Sequence, residues 1–147
     1  AVEIRKFNIV PVIAFASFSN FGSYMGPGYH AEVREAVKIL HRDHPELIVD
    51  GEMQANYIFD AELRKNKFPF THLEDKDVNT IIFPELSSGN ILYKSLIGVG
   101  AAEEAIGPVL MGMKKPVHIL QMESSVREIV NMTAIAVVDA QYAVKKQ

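Results

Sequence analysis

Short apolar runs that each give way to a loop of small polar residues, and then to a helical pattern, constrain this chain more than any other feature. Phe7 to Ser17 reads FNIVPVIAFAS, rich in Val, Ile and Phe. A run of this kind bounded by turn residues reads as a buried strand. Pro11 has no N–H for a ladder, so the strand proper is expected after it. Ser19 to Gly28 is a loop with three glycines and a proline. Beyond it, Val33, Ala36, Val37 and Leu40 fall at the i, i+3, i+4, i+7 spacing of one helical face. Leu47 to Asp50 reads as a second strand ending at Gly51-Glu52, and Ala55 to Lys65 as a second helix, with Tyr57, Ala61 and Leu63 loosely periodic. Lys67 to Asp77 is a polar connection, in which Thr71 to Asp77 is the segment expected to move. Val78 to Phe83 is a third strand stopped by Pro84, and Glu85 to Gly89 is a loop into a helix over Asn90 to Leu96. Strands alternating with helices imply an α/β fold with a largely parallel sheet.

Ile106 to Met111 and Val117 to Gln121 are two further apolar runs. The five residues Gly112 to Pro116 between them are too few for a helical crossover, so this pair is expected to be antiparallel or to lie in different layers. A last helix starts near Ser125. Val126, Ile129, Val130, Thr133, Ala134, Val137 and Val138 form a broad apolar face, widened by Ile135 and Ala136, and protein is expected to cover much of it. Lys145-Lys146 suit a helix C-terminus.

With 147 residues, 48% of them hydrophobic, the chain suits one compact domain with a real core. The net charge is -3, and Arg5, Arg34, Arg42, Arg64 and Arg127 are scattered, mostly on expected helix surfaces. There is no basic stripe for nucleic acid. The absence of cysteine removes disulfides, thiolate metal sites and a cysteine nucleophile. It is compatible with the cytosol, and a cytoplasmic protein is expected. No apolar run is long enough to span a bilayer, so no membrane partner is expected. Ala1 to Lys6 carry neither an initiator Met nor a signal-peptide pattern, and the start is expected to be a cut inside a longer protein.

Open α/β sheets bind ligands beyond the C-terminal ends of their strands, and three such ends carry unusual chemistry. Ser17-Phe18-Ser19-Asn20-Phe21-Gly22-Ser23 offers hydroxyls and a glycine before a helix; it is either an anion site or a strand-to-helix loop with Ser and Asn capping turns. Asp50-Gly51-Glu52-Met53-Gln54 places two carboxylates around a glycine. They orient a polar ligand, bind a metal weakly, act as an acid–base pair, or form a glycine turn with a helix N-cap. Ser88-Gly89-Asn90 at a helix N-terminus, with Lys94 one turn in, suits a phosphate; the alternative is an Asn90 N-cap and a solvated Lys94. None of His30, His41, His44, His72 and His118 pairs at i, i+4, and without Cys no zinc site is expected. His118 is expected to be a hydrogen-bonded core residue, and Met111 and Met113 to serve packing.

Taken together, PVIAFASFSNFGS, VDGEMQAN, NTIIFPELSSGNILYK and AIGPVLMGMKKPV match, in order and spacing, the C-terminal part of the phosphate acetyl/butyryltransferase (phosphotransacetylase) family, over about Pro11 to Gln141. The spelling SNFGS and the ending SSVREIVNMTAIAVVDAQ resemble the phosphotransacetylase-like C-terminal domain of bacterial multimodular NADP-dependent malic enzymes. The resemblance implies a three-layer α/β lobe of the isocitrate and isopropylmalate dehydrogenase-like type, with a mixed, mainly parallel sheet, as one lobe over 1–147. It implies that Ser17, Ser19, Gly22 and Ser23 line a ligand cleft, that Asp50, Gly51, Glu52 and Gln54 support it, and that Ser88, Gly89, Asn90, Tyr93 and Lys94 face it.

The same resemblance exposes a departure. Free-standing transferases carry a catalytic Ser-Arg-Gly step after the last strand, whereas this chain reads Leu120-Gln121-Met122-Glu123-Ser124-Ser125, with no arginine to hold developing charge. Glu128 falls where the family has a functional acid, yet Ser125-Val126-Arg127-Glu128 is also a capping box, which explains Glu128 without catalysis. The implied function is a regulatory module that binds acetyl-CoA, CoA or an acetyl phosphate-like molecule and lowers malate oxidation elsewhere in a longer enzyme. NADP and a divalent metal would belong to domains outside this chain. Two alternatives stand beside it: an active phosphate acetyltransferase, and a structural oligomerisation domain. The family implies a homo-oligomer, at least a dimer.

Overall fold

The computed structural model describes residues 1–101 and 105–144. They form two compact units, Val10–Leu92 and a terminal unit made of Ala1–Ile9 with Tyr93–Gln147. Lys145 and Lys146, expected at a helix C-terminus, lie outside the described residues.

The Val10–Leu92 unit is built on three parallel strands, β1 (Val12–Ala16), β2 (Ile48–Met53) and β3 (Thr80–Ile82), in the order β2-β1-β3. Strand β1 (Val12–Ala16) is central, as its small, apolar sequence VIAFA suits, and it begins after Pro11 as expected. Strand β2 (Ile48–Met53) pairs with it from Val12↔Ile48 to Phe15↔Gly51, then shifts register to reach Ala16↔Met53. Strand β3 (Thr80–Ile82) pairs on the other side, with Phe15 opposite Ile82. Side chains alternate across a strand, and Ala14 and Ala16 join Met53, Ile58 and Leu73 in one buried cluster, edged by Val12, Phe21, Ile81 and Phe83. Burying a side chain the size of Met53 or Leu73 contributes about 1.5–3 kcal/mol.

Helix α2 (Tyr29–Asp43) packs on β2, and Val33 and Val37 are buried as the spacing predicts. Beyond β2 the expected single helix is two: α3 (Ala55–Phe59) and α4 (Ala61–Lys67). Asp60 causes the break, because its Oδ1 accepts the Leu63 N–H at 2.8 Å and caps α4. The following connection is anchored rather than loose. Thr71 and Leu73 are buried, and the guanidinium of Arg64 donates to the Leu73 carbonyl. Arg64 is thereby moved from the expected helix surface to the interior.

Helix α5 (Leu86–Gly98) starts four residues earlier than expected and runs across the division between the units. The terminal unit holds the short α1 (Val2–Arg5) and the long α6 (Val126–Val144), tied by Lys6 to Asp139. The runs 106–111 and 117–121 are not strands, so the sheet of the described residues is parallel throughout rather than mixed. Pro108 and Pro116 lack the N–H a ladder needs, and an apolar run does not by itself supply a partner. Met111 and Met113, expected to pack, are exposed around Gly112. The His118 side chain is buried, but against expectation it makes no hydrogen bond among the described residues; Asp139 Oδ2 stands 3.5 Å from its Nε2. The apolar face of α6 is largely uncovered, with Val126, Val130 and Val137 exposed and Met132 buried. Periodicity identified the face but not what lies against it. No helix among the described residues is long and apolar enough to cross a membrane.

Candidate functional site

Because the three strands are parallel, their C-terminal ends share one edge of the sheet, the edge where open α/β sheets hold ligands. The Ser17–Ser23 loop leaves β1 there, Gln54 follows β2, and the Phe83–Gly89 segment follows β3. The sequence reading of three chemically unusual strand ends is thus drawn to one edge.

Glu52 organises the first loop. Its side chain is fully buried, and strand β2 continues through Gly51 and Glu52 rather than ending before them. Oε1 accepts from Ser19 Oγ at 2.8 Å, from the Gly22 N–H at 3.0 Å and from Arg34 Nη1 at 3.0 Å. The Glu52 carbonyl accepts the Phe21 N–H at 2.8 Å. Ser23 Oγ accepts the Asn20 N–H at 2.9 Å and lies 3.2 Å from Ser19 Oγ. Asn20 Oδ1 accepts the Gln54 N–H at 2.8 Å, and the Gln54 amide donates back to the Phe18 carbonyl. Ser19, Gly22, Ser23, Glu52 and Gln54 are therefore brought into one network. Ser17 joins it by accepting the Ser19 N–H at 3.2 Å. Much of the loop's donor capacity is turned inward on Glu52.

Asp50 faces a different partner. Its Oδ2 accepts from Thr71 Oγ1 at 2.7 Å and from the His72 N–H at 2.8 Å, and its Oδ1 takes the Gly51 N–H at 2.9 Å. The two carboxylates hold two separate loops, one each, so they do not form the acid–base pair that their spacing allows. No group of three His, Cys, Asp or Glu among the described residues could hold a metal ion.

At the end of β3, Glu85 occupies the helix terminus that was read as a phosphate site. Its carboxylate accepts the Ser87 and Ser88 N–H groups, both at 2.6 Å. Ser88 and Gly89 lie inside the first turn of α5, Gly89 against Phe83, and Asn90 is a helical residue rather than an N-cap. These N–H bonds hold the Glu85 carboxyl well below its usual range, at about 2. A carboxyl depressed by folding stabilises the native state above its unfolded pKa, and that contribution fades as pH falls through the folded value. Wild-type stability is therefore expected to drop between about pH 5 and about pH 2 more steeply than that of Glu85→Gln, by urea titration at a series of pH values; parallel curves would contradict the assignment.

Farther along α5, the Lys94 ammonium lies 5.3 Å from the centre of the Tyr93 ring. In the terminal unit, Glu128 accepts the Ser125 N–H at 2.6 Å while Ser125 Oγ accepts the Glu128 N–H at 3.2 Å. This is the capping box read from the sequence. The Ser125 bonds, with a smaller contribution from Lys94, lower the Glu128 pKa.

Sequence reasoning missed three contributors. Thr71 sits in the connection taken as loose. In the sequence Asn20 reads as a turn residue, and Arg34 as one of five scattered arginines, mostly on expected helix surfaces. Arg34 is adjacent to Val33 on the buried stripe of α2, a faint signal for a side chain reaching back to the sheet edge.

A family model described as Phosphate acetyl/butaryl transferase matches residues 1–137. The chain is 39% identical over 142 residues to an NADP-dependent malic enzyme of Escherichia coli strain K12, covering 96% of this chain and 18% of that protein. It is also 39% identical over 134 residues to a phosphate acetyltransferase of Clostridium acetobutylicum, covering 91% of this chain and 39% of that protein. It thus spans well under half the length of either relative. Among solved structures, the EutD phosphotransacetylase from Staphylococcus aureus superposes with a TM-score of 0.84 at 32% identity, covering 95% of this chain and 42% of that one. The matched residues take in both units and every loop of the network around Glu52, and on that ground the chain belongs to the phosphate acetyl/butaryl transferase family.

Proposed function

We propose that this chain is the phosphotransacetylase-like regulatory part of an NADP-dependent malic enzyme, binding acetyl-CoA or a related acyl-CoA or acetyl phosphate-like anion without turning it over. One observation carries the reading: the Gln121–Ser125 segment has no arginine, and Met122 stands there 99% exposed beside Glu123. Acetyl transfer between CoA and phosphate gathers negative charge at the reacting centre, and a site without a fixed cation there forfeits its main source of stabilisation. Glu128, the acid the resemblance singles out, is engaged by Ser125. Malate oxidation, with NADP and a divalent metal, would belong to parts of the protein outside this chain, and the site works in the cytoplasm. The uncovered face of α6 favours a homo-oligomer, at least a dimer.

The active-transferase reading has one observation on its side, an identity to a phosphate acetyltransferase equal to that to a malic enzyme. An assay of the full-length protein separates the two. With acetyl phosphate and CoA, thioester formation is expected to stay at background, while acetyl-CoA lowers malate-dependent NADP reduction. Turnover at an ordinary enzymatic rate, roughly 1 per second or faster, would establish the transferase instead.

A further inference from the structure

We propose that Arg34 is the anion-binding side chain of this cleft and takes a phosphate or phosphate-ester group. The inference rests on the binding reading above and names the chemistry of the same site. Arg34 sits in the second turn of α2, and its side chain is 20% exposed. Its Nη1 donates to Glu52 Oε1 at 3.0 Å, and its guanidinium lies against the loop glycine, since a Cβ on Gly22 would stand 3.3 Å from Nη1. Among the described residues, it is the one Lys or Arg side chain bonded to the Ser17–Ser23 or Asp50–Gln54 segments.

The pairing with Glu52 is one-sided. Oε1 accepts three donors, whereas Oε2 is buried with no hydrogen-bond partner among the described residues. An arginine serving only to neutralise Glu52 would gain most by bridging both oxygens, the bidentate mode that makes arginine–carboxylate pairs strong. Arg34 spends one nitrogen on Glu52, and its Nε and Nη2 make no hydrogen bond to the described residues. A partly exposed fork with spare donors, at the strand edge where ligands bind, suits a phosphate oxygen pair. An incoming anion can take the spare donors while Glu52 keeps Ser19 and Gly22, so the loop stays assembled.

Two sources carry this chemistry: free phosphate or acetyl phosphate, and the phosphates of CoA. Titration of the full-length protein with inorganic phosphate and with CoA distinguishes them. Arg34→Gln keeps a hydrogen-bond donor but removes the charge and is expected to weaken binding of one or both probes about tenfold or more. A loss confined to inorganic phosphate assigns the free-phosphate source; a loss confined to or shared with CoA assigns the CoA phosphates. Arg34→Lys is expected to fall between the two, because an ammonium supplies charge without the fork. If Arg34→Gln lowers the melting midpoint, the ligand-induced rise in that midpoint decides: the better-bound probe must raise it for wild type and fail to do so for the variant. Unchanged affinity for both probes in Arg34→Gln would overturn the role of Arg34 and leave the binding reading standing. Wild type that binds neither probe would overturn both.

Discussion

Arg64→Met is expected to destabilise the Val10–Leu92 unit by about 3 kcal/mol or more, because several backbone carbonyls lose one shared buried donor. Arg64 is fully buried. Its Nη1 donates to the Tyr57 carbonyl at 2.7 Å and the Ile58 carbonyl at 3.1 Å. Nε and Nη2 donate to the Leu73 carbonyl at 3.1 and 3.0 Å, and Nη2 also reaches the Lys76 carbonyl. One side chain thus satisfies carbonyls at the end of α3 and along the connection into β3. Methionine fills the volume but leaves buried acceptors without donors, each a penalty of about 1–3 kcal/mol. Burial pulls the Arg64 pKa down, with Asp77 and Asp60 acting in the other direction, and a guanidinium remains charged under these conditions. Arg64→Lys keeps the charge but cannot reach the same carbonyls with a fork, so most of the loss is expected to persist. Urea unfolding followed by circular dichroism reads the effect, and a change within about 0.5 kcal/mol, the size of an ordinary surface substitution, would contradict it.

The second large effect is expected at Gly51. Its φ is +140°, and a Cβ there would lie 2.8 Å from the Phe15 carbonyl oxygen and 2.9 Å from Phe15 Cβ. Phe15 belongs to the central strand and is paired on both sides, so the clash cannot be relieved by swinging a side chain. Gly51→Ala combines backbone strain of about 1–3 kcal/mol with overpacking of about the same size. The strands would have to part where Asp50 and Glu52 emerge, loosening the 71–72 and 19–22 loops together. The measurable outcome is a loss of soluble yield, or a lower urea midpoint with weaker acetyl-CoA binding. A folded Gly51→Ala protein with an unchanged midpoint would show that the strand contact tolerates a side chain.

The parts of this fold that declared themselves in the sequence are those set by local rules. Strand β1 was legible because an apolar run follows a proline, α2 because Val33 and Val37 repeat with helical spacing, and the start of α6 because Ser125 and Glu128 form a capping box. What stayed hidden depends on distant partners. The split between α3 and α4 turns on the Asp60 side chain preferring a backbone N–H to a helical geometry. The runs at 106–111 and 117–121 have strand composition, but a strand exists only where another strand meets it. At the sheet edge, the three strand-end motifs were legible together, yet the division of labour between Asp50 and Glu52 was not. Two carboxylates two residues apart read as a pair until Thr71 and Ser19 are seen to claim one each. Arg34 and Arg64 read as surface charges because a sequence does not say where a long side chain ends.

The central claim is that this chain holds a site for acyl-CoA, and calorimetric titration of acetyl-CoA into the full-length protein tests it most directly. Saturable binding with a Kd on the order of 1 mM or tighter, equivalent to a free energy of about -4 kcal/mol or better, is the predicted result. Absence of saturable heat with acetyl-CoA, in a protein shown to be folded, would contradict the account and leave the chain a structural member of its family.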